Sequence, residues 1–252
     1  MKMNLHVKCV AVGSFGTLAV GTLAYFTHKY LKSRKSEDIM EVYFTHDTCE
    51  EQHTKNVKYL SISELDFFPR QLTRIVNYIN SATKTIDAAV YLFNVKQLGE
   101  AMIQAYERGV AVRIVGCSSM QGATGTQFGD LHRHGIPVLF KSTTMCMHHK
   151  FCLVDTRDQT EKEKRDSQRR KSRINRSKSK EDQSEKLPTV HIPQNGVCIT
   201  GSCNWTMQGF SSNWENLIIT NNQKILSGFR KEFDRIWSDF IAAQQVTNTD
   251  SR

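Results

Sequence analysis

Between residues 70 and 243, short apolar runs alternate with amphipathic stretches, and this alternation restricts the fold more than any other feature. In RQLTRIVNYINSA (70–82), Leu72, Ile75, Val76 and Ile79 recur at helical spacing and share one face. TIDAAVYLF (Thr85–Phe93) is a short, nearly continuous apolar run, the pattern of a strand covered on both sides. A helix is expected at Lys96–Arg108, closed by Gly109, before the strand VAVRIVGCS. A short helix at Phe128–His134 stops at Gly135 and leads to the strand IPVLF. HKFCLVD, GVCITGS and NLIIT supply three further strands, and Ile225–Ala243 has the period of a long amphipathic helix. No internal repeat is present. Strands alternating with helices predict an α/β fold, a sheet sandwiched between helices on both faces.

The chain before this region reads differently. Cys9–Thr27 is 19 residues without a formal charge, close to the length of a membrane-crossing helix. Lys29, Lys32, Arg34 and Lys35 follow it, against Lys2 and Lys8 before it, which predicts an uncleaved anchor with the remainder in the cytosol. Residues 1–35 are thus expected to be anchor and basic flank, 36–64 a polar connector, and 65–252 the folded domain. His46, Cys49 and His53 offer three metal ligands in the connector, but no fourth Cys or His follows them before Cys117. A closed zinc site needs four, so no metal or other cofactor is expected. The seven cysteines are an odd, scattered set, most of them inside apolar runs, as in a reducing compartment.

One stretch of the domain breaks the pattern. About 156–195 contains EKEKRDSQRRKSRINRSKSKEDQSEK, in which Ile174 is the one apolar residue. Of the net charge of +9, a surplus of five lies between Arg157 and Lys186, with 12 Lys/Arg against 7 Asp/Glu. Such a segment buries too little apolar surface to offset its ordering entropy, so a disordered loop insertion is expected.

Chemistry is concentrated on either side of that insertion. MHHKFCLVD holds His148, Lys150 and Asp155 in the pattern H-x-K-x4-D. On a strand, His148 and Lys150 share a face and His149 points the other way. An imidazole and an ammonium converging on one phosphate can attack phosphorus and neutralise the charge that gathers on its oxygens. GSCNWT then offers Ser202 and Asn204 as donors two residues apart, and Glu215 of NWEN is a carboxylate able to orient an imidazole. His132, His134 and His191 receive no role, and basic or aromatic groove residues are sought among Lys96, Arg108 and Trp205.

H-x-K-x4-D, followed by G-S-x-N and a later Glu-Asn, resembles the signature of the phospholipase D superfamily over residues 65–243. The texture MHHKF, ITGSCNWT and NWENLIIT, with an N-terminal anchor, is similar to its single-motif Zucchini/MitoPLD branch, in an insect member. The resemblance implies a mixed sheet between two helical layers and a metal-free, two-step displacement through a phosphohistidine. It implies His148 as nucleophile, Lys150 and Asn204 as phosphate clamps with Ser202 in support, and Glu215 as the group orienting His148. Asp155 completes the motif set, with a role more structural than chemical. The 45 residues between Asp155 and Gly201 exceed the family's few, and must loop out if the site is to form.

The mechanism needs a second His, to protonate the leaving oxygen and then activate water. A chain with one motif obtains it from a second copy, so a homodimer sharing one site is expected. The resemblance implies a single-strand-specific endoribonuclease making 5′-monophosphate ends in piRNA biogenesis at the mitochondrial outer membrane. Hydrolysis of cardiolipin to phosphatidic acid uses the same chemistry and is the alternative, and an inactive membrane scaffold is a third.

Overall fold

In the computed structural model, residues 38–45, 69–177 and 189–249 are described, with side chains at 38–45, 69–174 and 189–244. The expected anchor at Cys9–Thr27 and the residues His46, Cys49 and His53 lie outside them. Among the described residues no helix is long and apolar enough to cross a membrane, and no cluster of His, Cys, Asp or Glu could hold a metal.

Seven strands form one mixed sheet. They are β1 (Met40–Thr45), β2 (Thr85–Val90), β3 (Ala111–Gly116), β4 (Val138–Leu139), β5 (Lys150–Val154), β6 (Val197–Gly201) and β7 (Glu215–Thr220). Their order across the sheet is β1-β7-β6-β5-β2-β3-β4. β2, β3 and β4 are parallel neighbours, and every other adjacent pair is antiparallel. The helices are α1 (Arg70–Ser81), α2 (Lys96–Glu107), α3 (Phe128–Arg133), α4 (Glu161–Ser177), α5 (Met207–Ser211) and α6 (Gln223–Thr249).

Strand alternation builds the two helical layers. Ile86, Ala88 and Val90 of β2 join Leu72, Ile75, Ile79, Leu98, Met102 and Phe128 in one buried core. Ala89, Val115, Phe151, Leu153 and Cys198 point the opposite way, onto Leu226, Phe233, Ile236 and Phe240 of α6. The expected sandwich is therefore present, and four of the six helices, α1, α2, α3 and α6, lie where the sequence pattern placed them.

Two segments differ from the sequence reading. Residues 40–45, read as polar connector, form edge strand β1, paired antiparallel with β7. Its inner residue Glu41 accepts hydrogen bonds from Arg74 and from the hydroxyls of Tyr43 (2.6 Å) and Tyr78 (2.9 Å). The strand partner lies more than 170 residues away, so local composition could not reveal it.

The second correction concerns 156–195, expected to be disordered. Residues 161–177 form helix α4, and its reason is polar rather than apolar. Thr160 and Glu163 cap its start reciprocally, Thr160 N donating to Glu163 (2.7 Å) and Glu163 N to Thr160 Oγ1 (3.2 Å). Ser167 Oγ donates to the Gly109 carbonyl at 2.8 Å, and Arg170 Nε to that of Tyr106 at 3.1 Å. The helix thus supplies a donor to the Gly109 carbonyl and a second one to that of Tyr106, which already accepts from Gly109 N within the α2–β3 turn.

A single buried carboxylate joins several of these parts. Asp87 of β2 is fully buried on the α6 side and accepts from Arg113 (2.6 Å), Arg157 (3.0 Å) and Arg230. Burial raises its pKa, but the hydrogen bond and charge of Arg113, with Arg230 and Arg157, outweigh this and bring it to about 2.

Candidate active site

Most of the candidate site residues gather at one end of the sheet because of strand direction. β2 runs toward Val90, and antiparallel β5 starts opposite it at Lys150. β6 arrives at the same end with Gly201, opposite Leu217, so Ser202 meets the start of β7 at Glu215. His148, Lys150, Ser202 and Glu215, dispersed over 68 positions of sequence, are thereby brought to one edge. The backbone is tight here. A Cβ on Gly201 would stand 2.1 Å from the Asn216 carbonyl oxygen, so the glycine of GSxN permits β6 and β7 to approach.

His148 is exposed and Lys150 is buried beside it. Lys150 Nζ lies 3.1 Å from His148 Nδ1 and donates to the His148 carbonyl at 2.9 Å. Burial pushes the Lys150 ammonium below the ordinary lysine range, opposed by negative groups nearby, including Glu215. The expected shared face is observed, and His149 on the other face meets Glu232 of α6 at 3.2 Å.

Tyr91, which sequence reasoning passed over, closes this pair from below. Its ring centroid is 4.7 Å from that of His148, and Lys150 Nζ stands 5.1 Å from it. Its position immediately after β2, at the strand end that carries the site, was the available signal.

Glu215 is placed at the site but bound differently from the expectation. Its carboxylate accepts from Ser202 Oγ in a very short bond and from Asn213 Nδ2 at 3.3 Å, while Lys150 occupies the Nδ1 side of His148. Ser202 Oγ in turn accepts from Asn216 N at 3.0 Å. Glu215 N donates to Thr45 Oγ1 at 3.1 Å, so β1 steadies the carboxylate strand. Asn204 is half-buried, and its Oδ1 has no hydrogen-bond partner among the described residues.

Asp155 is not brought to this edge. It follows the far end of β5 and takes a left-handed backbone conformation, φ 55°. Its carboxylate accepts from the backbone N–H of Thr83 (2.9 Å), Lys84 (2.7 Å) and Thr85 (3.0 Å) and from Thr83 Oγ1 (2.8 Å). It locks the turn that launches β2, with four β5 residues between it and Lys150. The suggested groove residues also fall away. Trp205 is buried edge-to-face on Phe93 at 4.9 Å, and Arg108 is spent on the carbonyls of Ile79 and Asn80. Lys96 is exposed and pairs with Glu100. His132, His134 and His191 are surface residues.

Comparison with known proteins identifies the family and the fold. Residues 75–237 match the family described as cardiolipin synthase, PLD-like domain. A protein of Drosophila melanogaster named mitochondrial cardiolipin hydrolase is 34% identical over 175 residues, 69% of this chain and 62% of that one. Its namesake in Xenopus laevis is 27% identical over 218 residues, 86% of this chain and 84% of the relative. The match with the fly protein therefore leaves more than a third of that protein's length uncovered. Among solved structures, the phospholipase D family member Nuc of Salmonella typhimurium superposes with a TM-score of 0.51 at 19% identity, covering 80% of this chain and 95% of Nuc. NucT of Helicobacter pylori gives 0.52 at 15%, with 82% and 98% covered. These two share the fold. The chain belongs to the phospholipase D-like family, and the mitochondrial cardiolipin hydrolases, the Zucchini or MitoPLD group, are its relatives.

Proposed function

We propose that this chain is a metal-independent phosphodiesterase that forms a phosphohistidine on His148 and cleaves single-stranded RNA, leaving 5′-monophosphate ends. The observation that carries the chemistry is an exposed imidazole with a buried ammonium 3.1 Å from its Nδ1. Burial has already removed much of the water from Lys150, so an incoming anion meets a preorganised charge.

The contacts of the free site also suggest how attack is triggered. While Lys150 donates to Nδ1, the neutral ring carries its proton on Nε2 and is not nucleophilic there. A phosphodiester draws the Lys150 ammonium onto its non-bridging oxygens and frees Nδ1 for the proton. The carboxylate of Glu215, released from Ser202, then holds that tautomer. Nε2 attacks phosphorus, a P–N bond forms, and the P–O3′ bond breaks. The leaving oxygen takes a proton from His148 of a second copy of the chain. That same imidazole then removes a proton from water, whose oxygen displaces Nε2 and releases the 5′-phosphate. Asn204 and Ser202 assist at the phosphate. The exposure of His148 at a sheet end suits a shared site across a two-fold axis. We place the enzyme at the mitochondrial outer membrane, held by Cys9–Thr27 with its domain in the cytosol, supplying 5′ ends for piRNA production.

A second reading has its own support. Met145 and Trp214, 79% and 86% exposed, are apolar residues adjoining the two motif segments, and the relatives are named for cardiolipin. Hydrolysis of cardiolipin to phosphatidic acid would use the same histidine and lysine. The test uses the purified protein and its His148→Ala variant, with labelled single-stranded RNA and with cardiolipin vesicles, in EDTA. RNA cut by the unaltered protein alone, with 5′-phosphate ends, is the expected result. Lipid turnover with intact RNA would put the second reading first. Activity lost in EDTA or retained by the variant would overturn both.

A further inference from the structure

Helix α4 has two faces with different work. Glu163, Ser167 and Arg170 point inward and are engaged, Glu163 with Arg157 at 2.7 Å and the other two with backbone carbonyls. The Arg170 guanidinium also lies 3.8 Å from the ring centroid of Tyr106. The opposite face carries Lys162, Arg165, Arg169 and Arg173, all exposed, with Gln168 and Ser172 beside them. Arg165, Gln168, Arg169, Ser172 and Arg173 line a common surface groove.

The three arginines are four residues apart, so they stand above one another in a stripe about 12 Å long. Like charges at that spacing repel one another. Of the helix's three acids, Glu161 pairs with Lys164 and Glu163 with Arg157, and among the described residues no acid, Asp166 included, pairs with Lys162, Arg165 or Arg169. An external polyanion would.

The place of the stripe is set by the sheet. α4 docks on Gly109, just before β3, and Gln159 ahead of the helix donates to the carbonyl of Lys84, just before β2, whereas His148 lies past the other end of β2. Six strand residues separate these ends, on the order of 20 Å.

We propose that the α4 stripe is a second binding surface for the sugar-phosphate backbone of single-stranded RNA, remote from the scissile phosphate. This rests on the reading of the chain as a ribonuclease. Guanidinium forks flanked by an amide and a hydroxyl are a donor set for phosphate oxygens. The exposed face holds no apolar side chain to enter a bilayer; Ile174 is half-buried. An RNA long enough to reach from His148 to α4 gains these contacts, and a tetranucleotide does not.

The full chain is compared with Lys162→Gln/Arg165→Gln/Arg169→Gln, which keeps helix-forming residues and leaves the contacts of Glu163, Ser167 and Arg170 in place. Binding of 30-nucleotide RNA is measured by anisotropy in the His148→Ala background across salt concentrations, and cleavage of the 30-mer and a tetranucleotide with His148 present. The triple variant is expected to bind the 30-mer ~10–100-fold more weakly at low salt, with a salt slope smaller by about 2, from three lost phosphate contacts at ~0.7 each. Its kcat/KM on the tetranucleotide should be unchanged. Equal 30-mer affinity and slope in the two proteins, with His148-dependent cleavage intact, would overturn the stripe alone. No 30-mer binding or cleavage by the unaltered chain would overturn the ribonuclease reading with it. Reduced binding to cardiolipin-containing vesicles with unchanged RNA affinity would assign the stripe to the membrane and refute the proposal.

Discussion

Replacing Asp87 with Asn keeps the side-chain volume in the middle of the sheet and removes one charge. Three guanidiniums, each with a side chain only 16% exposed, then face a neutral amide whose NH2 is itself a donor. Two routes give the magnitude. The Asp87 pKa of about 2, against a reference of 3.8, corresponds to about 2 kcal/mol favouring the charged form in the fold. Breaking a buried ion pair by removing one partner costs about 3–5 kcal/mol, because the remaining charge stays desolvated. The expected loss is therefore about 2–5 kcal/mol at pH 7, a fall in Tm on the order of 10 °C for a domain of this size. Sign and pH window follow from the lowered pKa. The contribution is fully present above the unfolded value near 3.8 and is lost as pH falls through the folded value near 2. Urea unfolding of both proteins from pH 7 downward tests this, with the two stabilities converging at the acid end. A variant as stable as the parent at pH 7, or a gap undiminished at the acid end, would refute the hub.

Four further outcomes are expected. Asp155→Asn should lower stability by about 1–3 kcal/mol through weakened turn hydrogen bonds, while kcat measured well below the transition stays unchanged; a matching loss of kcat would put Asp155 in the catalytic set. Lys150→Gln should lower kcat by about 100-fold or more, and the alkaline limb of the parent's pH–rate profile should lie below the ordinary lysine range because burial favours neutral Lys150; a profile flat up to that range would contradict this. Gly201→Ala should cost about 1–3 kcal/mol, as the new methyl meets the Asn216 carbonyl, and a variant with parental Tm and activity would show that β6 and β7 have room to spare. Tyr91→Phe keeps the ring against His148 and Lys150 and should retain activity, whereas Tyr91→Ala should lose roughly 10-fold; equal activity of the two would remove the ring from the site.

The reach of sequence reading here can be argued element by element. Wherever a residue's environment is set by neighbours three or four positions along a helix or two along a strand, the pattern was sufficient. The helix at 70–81, the strand at 85–90 and the facing of His148 and Lys150 follow from such periods. The motif residues were legible for another reason: phosphoryl chemistry demands specific side chains, and His148, Lys150, Ser202, Asn204 and Glu215 stand in segments recognisable by resemblance. Their partners were not legible. Glu215 binds Ser202 and Asn213, and Lys150 takes Nδ1, because of how three antiparallel strands end together.

Long-range pairing accounts for what remained hidden. β1 is a strand because β7 offers its edge, and α4 is a helix because the α2–β3 turn presents carbonyls to which Ser167 and Arg170 can donate. The composition of α4 alone argues for disorder, since hydrophobic burial is the usual offset to ordering entropy and this segment has almost none. The sequence by itself determined the α/β alternation, the family chemistry and the residues able to carry it. Only the tertiary structure decided that Asp155 locks a turn, that Tyr91 underlies His148 and Lys150, and that Arg165, Arg169 and Arg173 share one outward face while Arg170 turns inward. Each of those depends on hydrogen bonds or packing between residues far apart in the chain, which no local period encodes.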